Sequence, residues 1–261
     1  MSGSHTPRVS LQSPRSSNLR FMENVLNAID GKVCLVTGAT RGIGRAIAKM
    51  LLEQGASVAI CGREQASVDA AVRALASETS GKVDGKAADV RDYEEVGRLF
   101  QFIDSRFGGI DVLVNNAGVG IFRSVSDITV EEWKNTIETN LSGAFYCSRE
   151  ALFRFGTRGG GYIVNIGSLA GKNAFAGGAA YNASKFALTG FTEAMMLDKR
   201  NDDVRVSYIM PGSVATEFSS GDGGNWKIWP EDIAEIVRTL LQTPKRTLIS
   251  RVEVRPSKPK R

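Results

Sequence analysis

Short β-branched segments alternate with longer segments of helical periodicity from residue 32 onward. The segments that we predict as strands are 32–37, 57–61, 83–88, 111–115, 161–166, 204–209 and 247–254. The predicted helices lie between them, at 43–54, 64–79, 93–107, 131–156, 180–200 and 231–242. This alternation is typical of βαβ units, whose right-handed crossovers place helices on both faces of a parallel sheet. The sequence therefore predicts an α/β fold, a three-layer doubly wound parallel sheet of about seven strands.

The two ends of the chain differ in composition from the part between them. Residues 1–24 are rich in Ser, Arg and Pro, and we predict a disordered tail there because such a segment buries little apolar surface. Residues 25–254 are predicted to form a single domain, followed by a basic tail at 255–261. A bilayer span of about 18 apolar residues and a secretory signal are both missing from the sequence. We therefore expect a cytoplasmic protein, with organelle targeting by residues 1–22 as the alternative.

The net charge of +5 does not indicate nucleic-acid binding. Residues 1–22 and 255–261 together hold seven basic residues and no acid, which leaves residues 23–254 at a net charge of −2. The predicted domain therefore lacks the excess of positive charge with which proteins bind a polyanion. Neither nucleic acid nor a membrane is expected as a partner.

The positions of histidine and cysteine exclude two further kinds of site, a Ser–His–Asp triad and a zinc site. The one histidine, His5, lies in the predicted tail, so the domain has no histidine for a Ser–His–Asp hydrolase or a zinc site. Cys34, Cys61 and Cys147 lie in apolar or small-residue runs, without the spacing of metal ligands. We expect reduced, buried thiols and no metal.

A strand, a glycine turn and a helix are predicted in succession from residue 33. Gly38, Gly42 and Gly44 lack Cβ atoms, so a pyrophosphate can approach the N–H groups of the helix N-terminus closely. Glycines also end strands for conformational reasons alone. The strand before and the helix after them favour a dinucleotide phosphate site.

The second predicted strand ends at Gly62 and Arg63, where an NAD site places an acid on the ribose 2′-hydroxyl. Arg63 instead offers a forked cation that suits the 2′-phosphate of NADP(H), and Arg41 in the glycine turn could add a second. This pattern favours NADP(H) over NAD(H). The alternatives are that Arg63 is an ordinary solvated residue and that Glu64 reaches the ribose.

Polar and small residues also follow the third and fourth predicted strands. Asp89 follows the third strand, and Asn116, Ala117 and Gly118 follow the fourth. Ordinary turn chemistry explains these residue types. The functional interpretation is that Asp89 meets the adenine amino group and that Ala117 and Gly118 let a cofactor pass close to the backbone.

Tyr181 and Lys185 are four residues apart, so on a helix their side chains emerge on one face. A nearby ammonium favours the ionised form of a phenol, which would otherwise titrate near pH 10. Such a pair alone is more often a surface pair. Ser168, at the end of the fifth predicted strand, changes the interpretation, because all these candidates then fall at the carboxyl edge where open α/β sheets bind ligands.

Six motifs stand in a characteristic order along the chain: TGATRGIG at 37–44, NNAG at 115–118, Asn140, Ser168, the Tyr181–Lys185 pair and PGSVAT at 211–216. In these motifs the sequence resembles the short-chain dehydrogenase/reductase family over about residues 30–254. The resemblance implies a Rossmann fold and a single NADP(H)-binding catalytic domain. The cofactor-binding residues that it implies are Gly38, Thr40, Arg41, Gly42, Ile43, Gly44, Arg63, Asp89, Val90, Asn116, Ala117, Gly118, Tyr181, Lys185, Pro211, Gly212, Val214 and Thr216.

The resemblance also implies the catalytic roles. Tyr181 would be the general acid or base, and Ser168 would orient the substrate. Lys185 would lower the Tyr181 pKa and bind the nicotinamide ribose, and Asn140 would hold a water that links Lys185 to solvent. Pro211, Gly212 and Val214 would line the nicotinamide pocket, with Thr216 near the carboxamide.

The branch that the sequence most resembles is the 3-oxoacyl-carrier-protein reductases. The implied reaction is hydride transfer between NADP(H) and a carbonyl or secondary alcohol, on a 3-oxoacyl thioester linked to a carrier protein or CoA, or on a related ketone. The alternatives are a sugar, polyol or steroid alcohol dehydrogenase and a non-catalytic NADP(H)-sensing protein. Arg149, Arg154 and Arg158 form either a patch for an acidic carrier protein or a solvated helix face.

Two segments of the sequence differ from the 3-oxoacyl-carrier-protein reductases. The expected oligomeric state rests on the family resemblance alone. Residues 217–229 are short for a substrate lid, which predicts an open pocket with Trp226 or Trp229 as a wall, and the end of the chain lacks the glycine-rich close. Family members form homodimers or homotetramers. The helix residues expected to supply apolar surface to such an interface are Phe145, Phe153, Phe191 and Met195.

Overall fold

A computed structural model of the chain describes residues 28–218 and 224–259. The predicted tail at 1–24, residues 25–27 and the last two residues of the chain lie outside the described residues, as does part of the segment 217–229. Within these described residues, seven strands form one parallel sheet in the order β3-β2-β1-β4-β5-β6-β7. The strands are β1 (Val33–Thr37), β2 (Ser57–Gly62), β3 (Val83–Ala87), β4 (Val112–Asn115), β5 (Gly161–Ile166), β6 (Val204–Pro211) and β7 (Arg251–Val254).

Seven α-helices and two short helical turns connect these strands in the described part of the chain. The helices are α1 (Gly42–Glu53), α2 (Gln65–Glu78), α3 (Tyr93–Phe107), α4 (Val130–Ile137), α5 (Gly143–Arg158), α6 (Ala179–Lys199) and α7 (Pro230–Gln242). A π-helical turn (Glu138–Ser142) joins α4 to α5, and a 3₁₀ turn (Leu169–Gly171) follows β5. None of the described helices is long and apolar enough to cross a bilayer.

The sheet is buried on both faces, which explains the continuous apolar runs of its strands. In β1, Cys34 and Val36 belong to a core that also contains residues of α1, α2 and α7, whereas Val33 and Leu35 belong to a second core with residues of α3, α5 and α6. Alternate side chains thus feed opposite cores. The predicted three-layer, doubly wound Rossmann architecture is confirmed.

The strand order reverses between β1 and β4, because the chain leaves β3 at one edge and returns beside β1. Ligands of open α/β sheets bind at such a reversal, beyond the carboxyl ends of the strands. The residues that follow β1, β2, β4 and β5 therefore meet at one edge.

The structure differs most from the predicted elements in two places. The helix predicted at 131–156 is interrupted by the π-helical turn, whose wider backbone hydrogen bonding the residue types of this stretch do not show. The last strand begins at Arg251, four residues later than predicted, because a turn closes from Thr247 N–H to the Pro244 carbonyl.

The three cysteines are buried free thiols, as predicted. Burial raises the pKa of Cys61 to about 12 and also raises the pKa of Cys34 and Cys147. These thiols are therefore protonated core residues at neutral pH.

Candidate active site

A cleft of about 580 Å³ runs along the carboxyl edge of the sheet. Every predicted cofactor-binding residue lines it except Gly44, and Ser168 lines it as well. Gly44 and Asn140 lie behind this lining. The cleft residues that the sequence analysis did not select include Ala88, Val119, Thr139, Gly167, Ser213 and Phe218.

The glycine turn is shaped by what lies beneath it. Gly38 has φ +62°, and a Cβ on it would lie 2.8 Å from the Cα of Ala117. Asn116 donates from Nδ2 to the carbonyls of Thr37 (2.9 Å) and Gly38 (3.0 Å). The Asn116 side chain therefore holds the turn against β4, and its amide donors are used within the protein.

Thr37 is a residue of this site that the sequence analysis missed. Its buried Oγ1 accepts hydrogen bonds from the backbone N–H groups of Asn116 and Ala117, both at 3.0 Å. It thereby ties the ends of β1 and β4 together under the cleft. Its position directly before the first turn glycine was the only sequence signal for it.

Gly44 acts through packing in the first turn of α1. A Cβ there would lie 2.6 Å from the Gly38 carbonyl oxygen and would also collide with the Asn116 side chain. Glycine at this position lets α1 approach the turn closely, which keeps the N-terminal N–H groups of the helix at the cleft. Its contribution to a nucleotide site is therefore indirect.

Two exposed arginines line the cleft, and Arg63 lies toward its β2 end, away from Ser168 at the β5 end. Arg41 precedes α1 and forms an ion pair with Glu217 at 3.1 Å, with both side chains largely exposed. Arg63 lines the cleft just after β2. Both arginines that the sequence predicted for a 2′-phosphate contact thus line the cleft, with Arg41 paired to Glu217.

Asp89 lies beside that end and is already engaged by a neighbour. Arg91 donates to both carboxylate oxygens, at 3.0 Å from Nε and 2.5 Å from its terminal nitrogen, and also to Asn135. The hydrogen bond from Arg91 is the largest cause that holds the Asp89 pKa below its ordinary value. Asp89 is therefore an oriented carboxylate in the lining of the cleft.

Tyr181 and Ser168 meet at the other end of the cleft. Ser168 follows β5, where its Oγ accepts from the Ala170 N–H at 3.1 Å, and both Ser168 and Tyr181 line the cleft. Burial raises the pKa of Tyr181, and the interaction with Ser168 lowers it by less. That Lys185 lowers the Tyr181 pKa stays a prediction.

Lys185 is an almost fully buried cation on the same face of α6 as Tyr181. Its Nζ donates to the Ile166 carbonyl at 3.1 Å and lies 5.8 Å from the centroid of the Tyr181 ring. Burial lowers the pKa of Lys185 to about 8. An ammonium has three N–H donors, so the Lys185 donors that do not bind the Ile166 carbonyl can donate to a ligand in the cleft.

Asn140 lies in the π-helical turn, directly behind Lys185 and Gly118. Its Oδ1 accepts from the Val119 N–H at 2.8 Å, and its Nδ2 donates to the Val119 carbonyl (2.9 Å) and to Ser184 Oγ (3.0 Å). Both amide protons are thus used. The side chain locks the loop after β4 to α6.

The segment after β6 closes the cleft from a third side. Gly212 donates its N–H to the Val254 carbonyl at 2.8 Å, which anchors the segment to β7, and Val214 pairs with Ile228. Trp226 lines the cleft, whereas Trp229 is exposed at the start of α7 and does not. Of the two predicted tryptophan walls, Trp226 is the one in place.

The arginines of α5 do not form an open basic patch. Arg154 pairs with Asp104 and Glu150, and Arg158 pairs with Asp111. The alternative of a solvated, ion-paired helix face fits these contacts better than a carrier-protein site.

A family model described as short chain dehydrogenase matches residues 32–223. The chain belongs to this family. A 3beta-hydroxysteroid dehydrogenase of Mediterraneibacter gnavus is 35% identical over 233 residues, which cover 89% of this chain and 84% of that protein. An uncharacterized oxidoreductase of Staphylococcus aureus (strain N315) is 32% identical over 233 residues, covering 88% of this chain and all of that protein.

Solved structures place the same family on the same fold. A metagenomic short-chain oxidoreductase in complex with NADP superimposes with a TM-score of 0.79 at 35% identity, covering 89% of this chain and all of that one. The chain is thus a short-chain dehydrogenase/reductase, an oxidoreductase with a Rossmann-like fold, and the resemblance that its motifs carried is confirmed.

Proposed function

We propose that this short-chain dehydrogenase/reductase transfers hydride between NADP(H) and a carbonyl or secondary alcohol, with Tyr181 as the proton-transfer group. The observation that carries the proposal is that the Ser168 hydroxyl, the Tyr181 phenol and the buried Lys185 ammonium line one cleft, with Lys185 Nζ 5.8 Å from the centroid of the Tyr181 ring. These groups can bind one substrate oxygen and exchange one proton with it.

The cleft fits a nicotinamide dinucleotide. Its volume of about 580 Å³ lies within the range of ligand pockets, and the absence of a Cβ at Gly38 leaves the turn open to a close approach. Backbone N–H groups of α1 would hold the pyrophosphate, Asp89 the adenine, and Lys185 the ribose next to the nicotinamide. When bound, the nicotinamide supplies or accepts the hydride.

Ser168, Tyr181, Lys185 and Asn140 have separate roles in substrate binding and proton transfer. In the direction of reduction, Ser168 Oγ donates a hydrogen bond to the substrate carbonyl, and Tyr181 Oη releases its proton to that oxygen. The raised pKa of Tyr181 supports this role, since the phenol is protonated at neutral pH. The Lys185 ammonium would stabilise the phenolate that remains, and Asn140 holds the surrounding backbone in place.

NADP(H) is preferred over NAD(H) in this proposal. Arg63 offers a guanidinium group after β2, where the sequence has glycine and arginine in place of an acid, and a 2′-phosphate would compete with Glu217 for Arg41. The structural relative that binds NADP supports the preference.

Two substrate classes are supported by different observations. The motifs favour a 3-oxoacyl thioester, linked to a carrier protein or CoA, or a related ketone. The steroid dehydrogenase relative favours the second candidate, a steroid or other cyclic secondary alcohol. A panel of acetoacetyl-CoA, small diketones and hydroxysteroids, each with NADPH or NADP⁺ and with NADH or NAD⁺, separates them.

Replacement of Tyr181 by Phe tests the catalytic proposal. General acid–base catalysis contributes about 10²- to 10⁴-fold, so turnover should fall by at least about 100-fold while NADPH binding stays within about twofold. NADPH oxidation at 340 nm measures the first, and quenching of tryptophan fluorescence the second. Full activity in Tyr181→Phe would remove the phenol from its role. NADPH binding without turnover of any panel substrate by the unchanged protein would favour the cofactor-sensing alternative.

We also propose a cytoplasmic homodimer or homotetramer. Phe145 and Phe153 support an interface on α5, because both are exposed there. Phe191 is partly buried, and Met195 is buried in the chain's own core, so the expectation that Met195 supplies interface surface is wrong. Light scattering coupled to gel filtration measures the number of subunits.

A further inference from the structure

Two phenylalanines pack against the Tyr181 ring, and a third packs against one of them. Phe122 is edge-on to Tyr181 with the ring centroids 5.4 Å apart, and Phe218 is tilted to it with the centroids 6.0 Å apart. Phe175 extends the group through Phe122, at 5.8 Å. We call Phe122, Phe175 and Phe218 the aromatic wall. It adjoins the phenol proposed to give its proton to the substrate.

The rings of the aromatic wall are open to solvent. Phe122 and Phe175 are each 46% exposed and Phe218 is 44% exposed, although Tyr181 between them is buried. A contiguous exposed apolar patch at a cleft commonly marks a binding surface, since its burial by a ligand is favourable. Ring faces beside a reacting group suit a planar apolar partner.

The wall is built from three separate loops that hold it in place. Gly120 lies beneath the two main rings, and a Cβ on it would come within 2.6 Å of Phe218 and 2.9 Å of Phe122. Asn182 accepts from the Phe175 N–H at 3.3 Å and donates to the carbonyls of Ala170 (2.8 Å) and Asn173 (3.1 Å). The arrangement is thus supported from below and from α6.

The charged groups next to the wall are already paired. Arg123, adjacent to Phe122 in the chain, lies 3.7 Å from Glu132, and Glu217, adjacent to Phe218, lies 3.1 Å from Arg41. These charges are compensated within the protein. The ring faces are the apolar surface that remains beside Tyr181, and they favour an uncharged substrate group.

We propose that the substrate carbonyl or alcohol is borne on a planar, uncharged ring system, such as an aryl or fused-ring ketone, and that Phe122 and Phe218 bind that ring. This inference rests on the proposed function, because it takes the substrate oxygen to lie at Tyr181. It makes Phe122 and Phe218 specificity-determining residues.

The test compares a fused-ring ketone, 2-tetralone, with a small one, 2,3-butanedione, in NADPH-dependent reduction. Phe122→Leu and Phe218→Leu keep apolar volume but remove the planar face. For each, kcat/KM for 2-tetralone should fall about tenfold, the size of one lost aromatic contact, mostly through KM. The values for 2,3-butanedione, which has no ring to lose this contact, should fall by a clearly smaller factor than those for 2-tetralone. Phe107→Leu, the same exchange in the aromatic pair with Phe102 outside the cleft, is the matched control.

A binding measurement separates failure of this inference from failure of the proposed function. Calorimetric titration of 2-naphthol, which has the planar ring but no reducible carbonyl, should give a dissociation constant about tenfold weaker in Phe122→Leu and unchanged in Phe107→Leu. If the protein reduces 2,3-butanedione but the Phe122 and Phe218 variants affect both ketones equally, the inference about the aromatic wall is wrong and the proposed function stands. If no ketone is reduced, the proposed function fails, and the naphthol titration still decides whether the wall binds planar rings.

Discussion

The Nζ of Lys185 lies 3.1 Å from the backbone carbonyl oxygen of Ile166, at the end of β5, in a position that is almost fully buried. This contact holds the ammonium beneath the tip of the strand that leads to Ser168. It also leaves a buried charge with one hydrogen bond inside the protein, and burial accordingly lowers the pKa of Lys185 to about 8.

Lys185 should make the stability of the protein depend on pH. The folded pKa of about 8 lies below the unfolded value, so between the two the unfolded chain binds more protons and the free energy of unfolding rises with pH. From pH 7 to pH 10 the unchanged protein should gain about 2 to 3 kcal/mol relative to Lys185→Met. Urea denaturation at several pH values measures this difference. Lys134→Met, on the exposed side of α4, serves as control and should show no such gain.

Arg63 should decide the choice between the two nicotinamide dinucleotides. Charge-assisted hydrogen bonds contribute about 1.5 to 3 kcal/mol, so Arg63→Ser should raise the KM for NADPH at least about tenfold and leave the KM for NADH within about twofold. Steady-state kinetics with both nucleotides measure the change. Arg98→Ser, at an exposed arginine that pairs with Glu94, is the matched control. Equal changes for both nucleotides would mean that Arg63 does not contact the 2′-phosphate.

The sheet and its functional edge were predictable because they depend on local patterns. Apolar runs marked strands that are buried on both faces, and parallel strands send their carboxyl ends to the same edge. The spacing of Tyr181 and Lys185 placed them on one helical face, as the structure has them. Ser168 then had to lie nearby, because it ends the neighbouring strand.

The features that the sequence analysis missed arise from tertiary packing. The π-helical turn at Asn140 depends on backbone hydrogen bonding and on contacts with Val119 and Ser184, which residue types alone do not show. Phe122 and Phe218 lie in loops without periodicity, so nothing in their spacing indicated that both would pack on Tyr181. Met195 has the apolar character of either an interface or a core residue, and only the packing of α6 against the sheet assigns it to the core.

Thr37 should contribute to stability through the two N–H groups that it satisfies. Thr37→Val keeps the shape and β-branching but leaves the N–H groups of Asn116 and Ala117 without their acceptor. Since a buried unsatisfied group costs about 1 to 3 kcal/mol, we expect a loss of at least about 2 kcal/mol in the free energy of unfolding. Thr239→Val, at an exposed position of α7, controls for the exchange itself. Equal losses in the two variants would contradict the assignment.

Ser184 should stabilise the connection between the π-helical turn and α6. Its buried Oγ accepts from Asn140 Nδ2 at 3.0 Å and donates to the Tyr181 carbonyl at 2.8 Å. Ser184→Ala leaves one proton of the Asn140 amide unsatisfied, which should lower the free energy of unfolding by about 1 to 2 kcal/mol. Asn140 keeps its two bonds to Val119, so the KM for NADPH should remain within about twofold. Urea denaturation and steady-state kinetics measure the two effects, with Ser77→Ala on the exposed face of α2 as control. A Ser184→Ala protein as stable as Ser77→Ala would show that Asn140 is held by Val119 alone.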